Sequence, residues 1–207
     1  MFRFRIPHRH RRALRLLQDV PLAVLLKDEQ GAALLEFAIS LPLLMVFVVG
    51  IYDFSGAFNQ KQKIEQAAQQ AAIIAGSQPT SDIASSEGNP PSLQAVSTAV
   101  FNSLTGSGVL ATGACTPPGG AAGPTGLTWT YTITGCNGGY PGDVLLITIN
   151  RGLVSTVSTP AVVGTVVTVQ YPYHWRFNSV IQLLFPGSTV YAATTQVIES
   201  ATVHNQM

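Results

Sequence analysis

Charge is what this chain has least of. Only 10% of its 207 residues are Asp, Glu, Lys or Arg, while 46% are hydrophobic, a low charge content for a soluble cytoplasmic protein. Signatures of common catalysts are missing too. After residue 31 only His174 and His204 remain as imidazoles. That part has no Gly-x-Ser-x-Gly elbow, no His-Glu-x-x-His, no Gly-Lys-Ser/Thr loop and no paired acids near each other in sequence. An enzyme is therefore not the expected class, and neither a catalytic residue nor a cofactor or metal site is assigned. Cysteine is scarce as well, with Cys115 and Cys136 the only two. In an exported domain such a pair suggests one bridge, and closing a loop of about 20 residues would contribute roughly 3 kcal/mol. The alternative is two unrelated free thiols. No further ligands at zinc spacing accompany the pair, so the bridge is the favoured reading if the domain is exported.

What the chain does have is one long apolar run, from Gly31 to Tyr52. At a helical rise of roughly 1.5 Å per residue, about twenty such residues span the 30 Å of a bilayer's hydrocarbon, so a single membrane helix is predicted. Pro42 inside it predicts a kink rather than a break, since neighbouring groups, Ser40 among them, can satisfy the freed backbone. One carboxylate, Glu36, stands in the run, where an unpaired charge is costly.

The few charges are unevenly divided. Seven basic residues (Arg3, Arg5, Arg9, Arg11, Arg12, Arg15 and Lys27) precede Gly31 against three acids, whereas four basic residues follow it against seven acids. Basic residues near a span stay cytoplasmic. The N-terminus is thus expected inside and the chain beyond Phe58 outside, in the periplasm or beyond. A nucleic-acid arm is the competing reading of Arg9 to Arg15, but a short basic run before an apolar stretch is read as topological and no nucleic-acid partner is expected. In an ordinary secretory signal the apolar region precedes the cut; here the polar Lys27-Asp28-Glu29-Gln30 lies ahead of it.

A Gly followed by small and apolar residues, with Glu36 five places on and the aromatic Phe37 next, resembles the processing site of type IV prepilins. The continuation Glu36-Phe37-Ala38-Ile39-Ser40-Leu41-Pro42, then Gly50-Ile51-Tyr52-Asp53-Phe54 and a Gln/Ala-rich helix, resembles more specifically the TadE-like proteins, pseudopilins of the tight adherence (Tad/Flp) pilus system. The likeness is strong from Gly31 to Ala75 and weaker near the C-terminus, where Tyr171-Pro172-Tyr173 resembles a Tyr-Pro-aromatic stretch of the family. It implies cleavage by a prepilin peptidase between Gly31 and Ala32, retention of the helix in the product, and pairing of Glu36 with the amine that cleavage creates. Such opposite charges gain far more from meeting in hydrocarbon than in water. The alternative is that Glu36 snorkels to a nearby membrane surface. The implied partners are other pilin-like subunits, the assembly machinery, the peptidase and the bilayer, at a bacterial inner membrane with the later domain periplasmic. The competing class is an uncleaved, membrane-anchored binding or adhesion module. One departure is that Ala67 to Ala72 lacks the Arg that often punctuates this helix in the family.

Along the chain, four divisions are expected: a basic leader at 1–31, a transmembrane helix at 32–56, a periplasmic extension of it at 57–76, and an α+β domain at 77–207. In the extension Phe58, Ile64, Ala67, Ala68, Ala71 and Ile74 recur at helical spacing, and the Ala-rich face suits close packing on the protein's own sheet or on neighbouring subunits. Gly76-Ser77-Gln78-Pro79 should end it. Ser92–Leu104 reads as a second helix with Ser92 as N-cap, and Gly106–Gly126 as a loop, despite the dinucleotide-like letters of Gly106-Ser107-Gly108-Val109-Leu110-Ala111. Leu127–Thr134 alternates strictly, with Leu127, Trp129, Tyr131 and Ile133 on one face, and predicts a half-buried strand. Asp143–Asn150, Ala161–Tyr171 and Ser188–Glu199 are further strands, with turns at Gly135–Gly142 and Asn150-Arg151-Gly152. Phe177–Leu184 reads as a short helix. The aromatic cluster Tyr171-Pro172-Tyr173-His174-Trp175 is read as core packing at a strand end, ahead of a binding patch or membrane-interface belt, and His174 as a structural hydrogen-bonding residue. The sum is an α+β fold: a transmembrane helix extended into a stalk and packed on a small antiparallel sheet.

Overall fold

A computed structural model describes residues 29–83, 88–111, 115–136, 140, 142–155, 162–177 and 194–205. The leader before Glu29, most of the expected helix at 177–184 and the start of the last expected strand lie outside these residues. Two helices are present, α1 (Glu29–Ser77) and α2 (Pro91–Gly106), with five strands, β1 (Ala122–Thr125), β2 (Thr128–Thr134), β3 (Val144–Ser155), β4 (Val162–His174) and β5 (Thr194–His204). The strands form one antiparallel sheet in the order β1-β2-β3-β4-β5, each pairing with its sequence neighbour. The fold is α+β. Compact units divide between Gly50 and Ile51.

The alternation in β2 works as read. Trp129, Tyr131 and Ile133 are buried and cross-register with Ile149, Ile147 and Leu145 of β3. Val167, Val169 and Tyr171 continue the layer on β4. Leu127 does not join it; it is about half exposed in the two-residue turn from β1 to β2. The opposite face is largely hydroxylic, with Thr130, Thr148, Thr168 and Ser200 aligned in one row across four strands. Onto the buried face pack Ile64, Ala67, Ala68, Ala71, Ala72 and Ala75 of α1 and Leu93, Val96, Val100, Phe101 and Leu104 of α2, forming one core. The Ala stripe lets helix and sheet backbones approach closely, which longer side chains would prevent. Phe58, expected on that stripe, is 64% exposed instead.

Three further departures from the expected elements have identifiable causes. Strand β1 lies inside the expected loop; it is a short, exposed edge strand that tolerates Pro124 because no ladder bond is needed on its free side. Gly126, at φ 65°, makes its tight turn to β2. Asn150-Arg151-Gly152 is not a turn. It is a bulge within β3, where pairing with β4 shifts register between Asn150 and Leu153. Ser92 is not the N-cap of α2; Pro90 holds that place, and the carboxylate of Asp82 accepts bonds from the Ser92 backbone N–H (2.8 Å) and hydroxyl (3.0 Å). Ser40 donates to the carbonyl of Phe37 at 3.1 Å, one residue short of the Ala38 carbonyl that Pro42 leaves free, yet α1 is continuous through Pro42.

Candidate functional site: the apolar segment and the docked extension

Every residue from Ala32 to Met45 is exposed, Glu36 included, and the large side chains Leu34, Phe37, Ile39 and Phe47 are each more than 60% exposed. A helix apolar all round is stable only in lipid or among other helices. This is the one helix among the described residues long and apolar enough to cross a membrane. Gly31 and Ala32, the expected processing pair, lie on its first turn, with Glu36 and Phe37 following.

Three sets of polar contacts fasten the extension to the sheet domain. The first is centred on Asp53, only 2% exposed. Its carboxylate accepts bonds from the Tyr173 hydroxyl (2.8 Å) and the Phe177 backbone N–H (2.7 Å), and the same hydroxyl lies 3.0 Å from the Asp53 carbonyl. One turn on, a Cβ at Gly56 would come within 2.7 Å of that hydroxyl, so only Gly lets Tyr173 reach Asp53. Burial, and then the bond to Asp53, push the Tyr173 hydroxyl up to about 12. Trp175 meets Tyr173 and Phe54 edge to face, at 5.1 and 5.2 Å between ring centres. The second set uses Pro172. Where β4 outruns its pairing with β3, the Pro172 carbonyl accepts a bond from Gln60 at 3.0 Å, and Lys61 pairs with Glu199 of β5 at 3.4 Å.

The third set closes the helix. No basic residue lies in the last turn of α1; Arg151, carried in by the β3 bulge, supplies the cation. Its guanidinium donates to the carbonyls of Ala75 (2.7 Å), Gln78 (3.1 Å) and Pro79 (3.2 Å), while only 2% exposed. It thereby satisfies end carbonyls and complements the helix dipole. Burial lowers its pKa, and the nearby Asp82 carboxylate opposes that shift. Sequence reading missed Asp53, Gly56 and Arg151 as a group, although Asp53 stood in the quoted motif. A lone acid just after an apolar run and a lone Arg in a strand were the available signals.

His174 Nε2 lies 2.7 and 2.8 Å from the two oxygens of Asp143 and stacks on Tyr140 at 3.6 Å, which holds the β2–β3 connection on β4. The expected bridge is not formed in the structure: Cys115 and Cys136 are free thiols. They are nonetheless neighbours. Burial pushes the Cys136 thiol up, and the adjoining Cys115 thiol adds to the shift. Among the described residues no group of three or more His, Cys, Asp or Glu could hold a metal.

An apolar helix continued into an Ala-faced stretch that packs on an antiparallel meander defines a class, that of an α+β protein with, among the described residues, one helix long and apolar enough to anchor it in a membrane. Within it, residues 31–72 match the family model of TadE-like proteins, the family that the sequence resembles. No curated protein and no solved structure matches the chain.

Proposed function

We propose that the protein is a pilin-like subunit that helps assemble a Tad (Flp) pilus, acting structurally through helix packing rather than by catalysis. The observation that carries the reading is the exposed apolar helix with Glu36 on its second turn, inside a TadE-like match that begins at Gly31. Cleavage after Gly31 by a prepilin peptidase leaves Ala32 with a free amine, and Glu36, one turn on, pairs with such an amine in the same or a neighbouring subunit. The span ends near Gly50, ahead of the 56 read from hydropathy, because Asp53 is engaged with Tyr173 and Phe177. The domain faces the periplasm of a bacterial inner membrane, and there the adjacent Cys115 and Cys136 oxidise to a bridge. Its partners are other pilin-like subunits and the assembly machinery.

N-terminal sequencing of protein extracted from membranes tests the cleavage. A product beginning at Ala32 supports the reading, and an intact leader turns it into the uncleaved anchored module. Glu36→Ala should leave cleavage intact but reduce crosslinking to pilin-like subunits; unchanged crosslinking would make the carboxylate incidental. Intact mass of unreduced protein should show the loss of two hydrogens, and free thiols in exported material would remove the bridge.

A further inference from the structure

The face of α1 just beyond its apolar run lines a cleft of about 440 Å³ with no assigned role. Its walls include Tyr52, Ser55, Asn59 and Lys63, at positions i, i+3, i+7 and i+11 of one helix stripe, with Arg176 following β4 on the other side. All five carry N–H or O–H donors, and within the described residues none of these side chains makes a hydrogen bond or ion pair. The other polar groups of the cleft are taken: Gln60 by the Pro172 carbonyl, and both Asp53 oxygens by Tyr173 and Phe177. Two cations thus stand against one engaged carboxylate, a donor-rich arrangement that suits a phosphate group.

We propose that this cleft binds the phosphate of an anionic phospholipid headgroup. The helix itself argues for a lipid over free phosphate. Tyr52 is the last residue of the apolar run, so at about 1.5 Å per residue the stripe begins at headgroup depth. Beside the cleft, Phe54, Phe58 and Trp175 line a second groove of about 320 Å³ with Lys61. Exposed Tyr52, Phe54 and Phe58 with Trp175 supply the amphipathic rings that collect at membrane interfaces. Lys63 and Arg176 take the phosphate oxygens, while Ser55 and Asn59 donate to the same group or to its glycerol. The assignment requires an anchored chain but not cleavage at Gly31, so its failure would leave the pilin reading standing.

The test is native mass spectrometry of the full chain in detergent with equimolar phosphatidylglycerol and phosphatidylcholine. Phosphatidylglycerol should be retained preferentially, and Lys63→Gln or Arg176→Gln should each lower that preference about fivefold, while Lys63→Arg preserves it. Lys61→Gln removes the same charge outside this cleft, where Lys61 pairs with Glu199, and should change little. Equal retention of the two lipids, or an equal loss with Lys61→Gln, would overturn the site. Displacement of phosphatidylglycerol by inorganic phosphate at equal concentration would overturn the lipid assignment in favour of the free ion.

Discussion

Helix α1 carries two apolar stretches that share a conformation and little else. From Ala32 to Met45 the side chains are mostly large and all exposed; from Ile64 to Ala75 the inward positions are Ile and Ala and essentially fully buried. Side-chain size and pattern account for the difference. Large apolar groups all round a helix leave no polar face to turn to water, so that stretch requires lipid or other helices. A stripe of Ala flanked by Gln has a wet side and a dry side, and the dry side is small enough for the sheet to lie flat on it. Apolar content alone would class the two together; the environment each needs is opposite.

The comparison can be broken or sharpened by substitution, beginning with the all-or-none case. Gly31→Val should abolish processing and leave a species that keeps its 31-residue leader on a gel, with the domain's melting unchanged; unaltered mobility would count against cleavage. Arg151→Ala should be the most damaging change at the docked end. It strips a partner from the buried Ala75 carbonyl at the end of α1 and from the part-buried Gln78 carbonyl just beyond it, and is expected to destabilise the domain by about 3 kcal/mol in thermal melts. A cost below about 1 kcal/mol would mean that water replaces the guanidinium freely. Ala68→Leu should cost about 2 kcal/mol by overpacking, while Leu44→Ala, in the exposed stretch, should shift melting in detergent by less than about 0.5 kcal/mol. Similar effects at the two sites would erase the contrast between the stretches. Tyr173→Phe should have a smaller effect, about 1–2 kcal/mol, because it removes one partner of a buried carboxylate that keeps the Phe177 N–H. Adding Gly56→Ala to Tyr173→Phe should then cost little more, since the close contact that demanded Gly is gone.

Local rules reached far along this chain. The apolar run, the alternation of Trp129, Tyr131 and Ile133 and the 3.6-residue recurrence of Leu93, Val96, Val100 and Leu104 are periodic signals, and each produced the expected element. The candidate site was legible only in part. Gly31, Ala32, Glu36 and Phe37 stood out because chemistry, spacing and resemblance coincide within seven residues. The departures share a different origin. Asn150-Arg151-Gly152 has turn-forming residues, yet sheet pairing on both sides carried it through as a bulge. Ser92 has the chemistry of a cap, but Asp82, ten residues earlier, reached its backbone N–H first. Phe58 had the right spacing and lay outside the stripe that the sheet covers.

By itself the sequence determined that one helix must leave water and that a half-buried sheet follows it, because periodicity and hydrophobicity are properties of neighbouring residues. Tertiary structure alone decided where that helix becomes part of the domain. Asp53 and Tyr173 are 120 residues apart, and Arg151 and Ala75 are 76 apart. Such distant groups meet only when the sheet has closed, and each is buried on terms set by a partner that no local pattern can name.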